Sequence, residues 1–273
     1  TIVNASCRTS DTVRVDFGKP VPPADAGPAN SVCGLSAPLT GNSPGIGTGT
    51  WKKLTGAGMV TFTPSANARN SFAGIPAGTE GAYQFEWRIV SGSCPPTADT
   101  TVVLYKPMPG MPAALGTSRC GPGTVTLTAT VGTNGTVVRW YDSQTGGSLL
   151  ASGSPYTTPL LSADTDFWVC SFNSTTGCES DRRQVHVTVH PVPAVPVSSD
   201  RQHCGSTSLT LNATVGADGN INRWYNAATG GSMLVQDTNY TTPGLNAGTT
   251  YWVSSYHTVT GCESTRQMVH VQI

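Results

Sequence analysis

Between Cys120 and Ile273 the chain states one pattern twice. Cys120-Gly121 returns as Cys204-Gly205, and Arg139-Trp140-Tyr141 as Arg223-Trp224-Tyr225. Thr145-Gly146-Gly147-Ser148 returns at Thr229 to Ser232, and Tyr156-Thr157-Thr158-Pro159 at Tyr240 to Pro243. Trp168-Val169 returns as Trp252-Val253, and Gly177-Cys178-Glu179-Ser180 as Gly261 to Ser264. Each pair lies 84 positions apart (204 − 120, 224 − 140, 262 − 178), with no insertion between. A fixed period of this size is the mark of one folded unit repeated in tandem.

The units read as β domains. Val125, Leu127, Ala129 and Val131 alternate with Thr126, Thr128 and Thr130, and Leu209, Leu211, Ala213 and Val215 repeat that face. Such alternation is the period of a half-buried strand. Asn134-Gly135 and Asp218-Gly219 then predict a tight hairpin with a positive-φ pair, leading into the Arg-Trp-Tyr strand. Upstream, Tyr83, Phe85 and Trp87 alternate with Ala82, Gln84 and Glu86 in another half-buried strand. No stretch has helical periodicity. Short strands with turn signals every 8 to 12 residues predict an all-β chain of antiparallel immunoglobulin-type sandwiches.

Four segments follow from the internal parallels. Ile2 to Cys7 parallels Ile89 to Cys94, and Lys19-Pro20 parallels Lys106-Pro107, both at an offset of 87 (94 − 7). Residues 1–20 thus read as the tail of an earlier unit, and residues 21–106 as a full unit of that type. Residues 107–191 and 192–273 are the two copies described above. The chain is expected to be a piece of a longer array. Proline-rich joints, Pro20 to Pro28, Pro107 to Pro112 and Pro191 to Pro196, separate the units as semi-rigid spacers.

Composition excludes several classes of partner. Charged residues make up 11% and the formal net charge is zero, so nothing attracts nucleic acid electrostatically. No apolar run approaches the ~18 residues of a membrane span, and none is expected to insert. The chain has 8 Cys and no CxxC pair, which points to disulfides in an oxidising compartment rather than zinc.

These patterns resemble known families. Residues 107–273, with Cys-Gly, Trp-Tyr, Gly-Gly, Tyr-x-Thr-Pro, aromatic-x-Val and Cys-Glu-Ser, resemble the CHU_C-associated immunoglobulin-like repeats of large Bacteroidetes surface proteins. Residues 21–106 resemble the PKD-like repeats found beside them, on Ala26-Gly27-Pro28, Val32-Cys33-Gly34, Gly49-Thr50-Trp51, Tyr83-x-Phe85-x-Trp87 and Cys94-Pro95-Pro96. The resemblance implies a segment of a giant adhesin or appendage at the cell surface, exported by a type IX-like route. Asp11-Thr12-Val13 and Asp99-Thr100-Thr101 resemble the O-glycosylation motif of that phylum, which marks Thr12 and Thr100.

No catalytic constellation assembles: there is no GxSxG, no HExxH and no phosphate-cradling loop. No enzymatic activity, cofactor or metal is expected. His186 and His190 share a strand face, but solvated strand positions outweigh a zinc pair. Glu179 and Glu263, each followed three positions on by Arg182 and Arg266, read as a repeated loop salt bridge in preference to a glycan-facing patch. The 6 Trp fall two per unit and read as core.

Spacing sets the expected disulfides. Cys120–Cys178 and Cys204–Cys262 have the same separation of 58 (178 − 120, 262 − 204), and Cys33–Cys94 spans a similar 61 (94 − 33). Cys7 and Cys170 are left over, Cys7 for an earlier unit and Cys170 as a free thiol. The function expected is a non-enzymatic extracellular stalk whose partners are neighbouring repeats of the same protein. Two alternatives stand beside it: a filament subunit that donates the strand-rich Thr1 to Phe17 to another copy, and carbohydrate-binding accessory modules of a secreted polysaccharide-degrading enzyme; surface glycans are a further candidate partner.

Overall fold

The computed structural model describes residues 13, 20–92 and 94–273. The expectations that involve Cys7, Thr12 and the donated segment 1–17 rest on residues that lie outside these, Val13 apart. The chain divides into two compact units: Thr1–Met108 with Thr175–Glu179, and Pro109–Ser174 with Ser180–Ile273. All regular structure among the described residues is β, and no helix is long and apolar enough to cross a membrane.

The first unit contains β1 (Asn30–Cys33), β2 (Ser36–Thr40), β3 (Thr48–Thr55), β4 (Thr61–Thr63), β5 (Asn70–Gly74), β6 (Gly81–Val90) and β7 (Thr97–Lys106). One sheet has the order β1-β7-β6-β3 and the other β2-β5-β4. The alternation in β6 is realised: Tyr83, Phe85, Trp87 and Ile89 are all buried, while Ala82, Gln84, Glu86 and Arg88 are not. Trp51 and Trp87 meet at 5.0 Å between ring centroids, and Gly49 makes room for them. A Cβ at Gly49 would sit 2.1 Å from Trp87 Cζ2, so only glycine fits there.

The second unit holds the two repeats apart from Thr175–Glu179 of the first of them. In the first, β8 (Ala113–Ala114), β9 (Thr117–Cys120), β10 (Thr126–Leu127), β11 (Ala129–Thr130), β12 (Val137–Tyr141), β13 (Leu149–Ser152), β14 (Tyr156–Thr157) and β15 (Thr165–Asn173) precede β16 (Cys178–Glu179) and β17 (Arg183–His190). Its main sheet runs β13-β12-β15-β17-β9. In the second, β18 (Val197–Ser198), β19 (Arg201–Gln202), β20 (Thr210–Thr214), β21 (Ile221–Tyr225), β22 (Met233–Gln236), β23 (Asn239–Thr241), β24 (Thr249–Tyr256) and β25 (Gln267–Gln272) follow the same plan. Its sheets are β22-β21-β24-β25-β19 and β18-β20-β23.

The repeated motifs are core devices. Trp140 and Trp224 are fully buried, and each spends its indole N–H on a backbone carbonyl, Gly153 at 3.0 Å and Asp237 at 3.2 Å. Tyr156 and Tyr240 lean on those indoles at 5.6 and 6.0 Å. The Thr of Tyr-Thr-Thr-Pro is buried as well: the hydroxyl oxygens of Thr158 and Thr242 accept from the N–H groups of Val125 and Leu209. A polar side chain is thus interred at no cost in unsatisfied hydrogen bonds.

Two local expectations change. Only Asn134 (φ 58°) and Asp218 (φ 60°) take the left-handed conformation in their turns, not the glycines that follow. Gly135 is needed for space: a Cβ there would lie 2.4 Å from Val131 Cγ2. Val131 itself is 37% exposed, beyond the end of the buried face at Leu127.

Candidate functional site

The feature that unites the repeats lies where each first edge strand ends. In the first unit β1 runs parallel to β7, with Cys33 opposite Lys106, the last residue of β7. In the next repeat β9 runs parallel to β17, with Cys120 opposite His190, again the last residue of the partner. In the third, β19 runs parallel to β25, with Gln202 opposite Gln272, and His203 N–H bonds the Gln272 carbonyl at 3.0 Å. Every Cys-Gly step therefore stands at the finishing end of its domain's last strand.

Three other cysteines stand at the starting end. Cys94 and Cys262 lie in the connection just before that same last strand, and Cys178 opens the two-residue β16 that follows the equivalent turn. Across β7, ten residues long, the two ends are roughly 30 Å apart; across the six of β25, roughly 17 Å. A disulfide needs Cα atoms about 4.4–6.8 Å apart. Pairing within a domain is therefore geometrically impossible, and the expected bonds Cys33–Cys94, Cys120–Cys178 and Cys204–Cys262 are not formed.

The bonds run from one domain's Cys-Gly to the next domain's turn. Cys33 is joined to Cys178, 145 residues on, with Cα atoms 5.6 Å apart. Cys120 is joined to Cys262, 142 residues on, at 5.5 Å. The first lies in the unit that includes Thr175–Glu179, where Lys106 Nζ also donates to the Thr176 carbonyl at 3.0 Å. The second lies wholly in the other unit. In both, an exposed strand-end cysteine meets a buried turn cysteine. Cys170 is buried and belongs to neither bond. Cys94 and Cys204 are free thiols, half-buried and exposed respectively.

The turn cysteine is held by a polar brace on the outer face of the sheet. Glu263, next to Cys262, accepts from Arg223 Nη1 at 3.0 Å, from the Tyr225 hydroxyl at 2.6 Å and from the Ser254 hydroxyl at 2.5 Å. Burial pushes the Glu263 carboxyl up, but the donors Ser254, Tyr225 and Arg223 outweigh it and hold it below the usual carboxylate value. The following serine closes the turn, with Ser255 N–H donating to Ser264 Oγ and Ser264 N–H to the Ser255 carbonyl, both at 2.9 Å. Thr260 Oγ1 accepts from Cys262 N–H at 3.4 Å inside the turn.

Arginines cap the aromatic rings of this face. The Arg266 guanidinium lies 3.3 Å over Tyr225 and donates to the Ala227 and Gly230 carbonyls, which ties the Gly-Gly loop to the sheet. Arg223 lies 3.2 Å over Tyr256. In the preceding repeat Arg182 covers Tyr141 at 3.4 Å and Arg139 covers Phe172 at 3.3 Å. The expected salt bridge between Glu263 and Arg266 is thus replaced by Arg223–Glu263, because Arg266 is engaged on Tyr225 and the loop. The Arg-Trp-Tyr and Cys-Glu-Ser motifs are two halves of one brace, which the sequence reading treated separately.

The remaining sequence candidates disperse. His186 is exposed and its Nδ1 lies 2.7 Å from Asp166 Oδ1, with Asp164 3.8 Å from Nε2. The bond to Asp166 holds the imidazole above its ordinary pKa against the opposing effect of desolvation, and the charges of Asp166 and Asp164 add to it. The next repeat has Gly248 and Thr250 in place of these carboxylates beside His270. No group of three or more metal-ligating side chains forms among the described residues. Thr100 is exposed on β7 and accepts from Gln84 at 3.3 Å. Four of the tryptophans, Trp51, Trp87, Trp140 and Trp224, are core; Trp168 and Trp252 point to the outer face and are half-buried.

No curated protein matches the chain significantly. Solved structures with similarity include the fibronectin(III)-like modules of Clostridium thermocellum CbhA, at 20% identity over 60% of this chain and 94% of that one, TM-score 0.39. The chicken CNTN1 FN1-FN3 domains match at 14% identity over 90% and 100%, TM-score 0.35. The three N-terminal domains of the bacteriophage RB49 highly immunogenic outer capsid protein match at 12% over 89% and 95%, TM-score 0.38. The family model described as Ig-like domain, CHU_C associated, matches twice in succession, at residues 109–191 and 193–273. With more than half its length covered by that tandem match, the chain belongs to the CHU_C-associated Ig-like domain family.

Proposed function

We propose that the chain is a non-enzymatic structural stretch of an extracellular surface protein, a stalk or spacer whose successive repeats are covalently stapled. The observation that carries the reading is the Cys120–Cys262 bond, which joins two repeats instead of closing either one. Disulfides persist outside the reducing cytosol, which supports an extracellular setting. The capped rings and the brace around Glu263 spend their polar groups on holding a turn in place, which suits a scaffold better than a reacting site. A cell-surface adhesin or appendage of Bacteroidetes type, exported by a type IX-like route, is the setting that the sequence resemblance adds.

Single-molecule pulling from both ends of the chain tests the load-bearing role. With both bonds intact the taut covalent path runs from Thr1 to Cys33, across to Cys178, back to Cys120, across to Cys262 and on to Ile273. That path is about 100 residues, or roughly 350 Å at full extension, against roughly 950 Å for the reduced chain. An oxidised chain that extends as far as the reduced one would overturn the proposal.

A further inference from the structure

The Cys-Gly step has the same surroundings in the first two domains. Gly34 (φ 96°), Gly121 (φ 66°) and Gly205 (φ 87°) share a left-handed backbone that an L side chain rarely adopts. Gly34 N–H bonds the Lys106 carbonyl at 2.9 Å, and Gly121 N–H bonds the His190 carbonyl at 2.8 Å. A Cβ on Gly34 would meet Met108 Sδ at 3.1 Å, and one on Gly121 would meet Val192 Cγ2 at 2.8 Å. Met108 and Val192 are themselves equivalent, 84 positions apart (192 − 108), each the second residue after its domain's last strand-end position.

The same cysteine is bonded at Cys33 and Cys120 and free at Cys204, and it is exposed in all three domains. In both bonded cases its partner is the buried cysteine of a Thr-Gly-Cys-Glu-Ser turn, at Thr176 to Ser180 and Thr260 to Ser264. The third domain thus carries a preformed half of a joint seen complete twice in the same molecule.

We propose that Cys204-Gly205 is a docking socket for the Thr-Gly-Cys-Glu-Ser turn of another Ig-like repeat of this family, closed by a disulfide from Cys204 to that turn's cysteine. The bond forms by thiol–disulfide exchange. A disulfide oxidant such as oxidised glutathione takes the electron pair: one cysteine thiolate displaces half of it, the second thiolate displaces the other half, and the oxidant leaves as two thiols that carry the two protons the cysteines gave up. The inference rests on the stapled-joint reading of Cys120–Cys262 and extends it to a partner.

The test lengthens the full chain after Ile273 by a second copy of residues 190–273, with Cys204→Ser in the added copy. The chain is folded in a glutathione redox buffer, labelled with iodoacetamide and mapped without reduction. Cys204, fully labelled in the unextended chain, is expected to fall to background labelling and to appear in one peptide with the turn cysteine of the added copy. A Cys204 that stays labelled, carries glutathione, or bonds Cys94 of a second molecule overturns the inference. If circular dichroism shows the added copy unfolded, His190-Pro191 followed by residues 108–189 replaces it, with Cys120→Ser in that copy, and the same outcomes apply. The Cys120–Cys262 peptide in the same digest reports on the existing joint, so its loss indicts the stapled reading and its presence beside a labelled Cys204 indicts only the socket.

Discussion

A serine at Cys120 should weaken a domain that does not contain it. Cys120 lies at the end of β9 in one repeat, and its bond reaches Cys262 in the next. When residues 192–273 unfold while the preceding repeat stays folded, the bond closes a loop from the joint to Cys262 of roughly 70 residues. In the chain-entropy treatment such a loop is worth about 4 kcal/mol at most. Cys120→Ser removes that constraint from the unfolded state and leaves every hydrogen bond within the third domain in place. Opening of that domain should become up to about a thousandfold more populated, since each 1.4 kcal/mol is a factor of ten. The assay is hydrogen–deuterium exchange at Val269 and Val271, core amides of β25 that exchange only when the domain opens. The control is Cys204→Ser, which alters a cysteine inside the third domain that bonds nothing in this chain. If Cys204→Ser accelerates exchange in β25 and Cys120→Ser does not, the bonds close within domains and the reasoning fails.

Cleavage at a protease site placed between Pro191 and Pro196 should leave two fragments that migrate as one species until reductant is added, because Cys120–Cys262 spans the cut; separation without reductant contradicts it. Gly49→Ala should cost about 1–3 kcal/mol in a denaturant titration of the first unit, as its Cβ must displace Trp87; an unchanged midpoint would count against the packing described. Glu263 has a depressed folded pKa, so its contribution is present above the unfolded value near 4.5 and is lost as pH falls through the folded one; exchange at Ser254 to Tyr256 should quicken on acidification, and Glu263→Gln should flatten that response. Tyr105 is pushed up to about 12 by burial and by neighbouring Tyr83, so its contribution is complete below pH 10 and is lost as pH rises through 12; alkaline unfolding of the first unit should be shifted upward by Tyr105→Phe.

What the sequence made legible was whatever is local in the chain. The alternation Tyr83-x-Phe85-x-Trp87 names a buried face because successive strand residues point to opposite sides, and those side chains are buried. The 84-residue period gave two repeats because a folded unit brings its own core, and the family match falls on the same two copies. The turn at Asn134-Gly135 was half legible: a left-handed residue is there, yet close approach to Val131, not backbone freedom, accounts for the glycine.

The cysteines show where local reading stops. Equal spacings of 58 in two copies carry no information on pairing, because every feature of a repeat recurs at a fixed interval whether bonded or not. The deciding fact is the parallel pairing of the first edge strand with the last, β1 on β7 and β9 on β17, which sends Cys-Gly to the far end of the domain from the turn. Sequence patterns fix the period of a strand but not its register or its neighbour across a sheet. Once that register is known, the rest follows by exclusion: a cysteine stranded at one end of its own sheet must look to the neighbouring domain. The brace obeys the same logic. Arg223 and Tyr225 lie 40 and 38 residues from Glu263 in the chain, and the pairing of β21 with β24 together with the Tyr256–Glu263 bridge brings them to one face. Their recurrence as Arg139, Tyr141 and Glu179 then has a physical reason. A joint repeated from domain to domain requires its turn cysteine in the same place each time, and a carboxylate with three donors is a stiff way to hold it there.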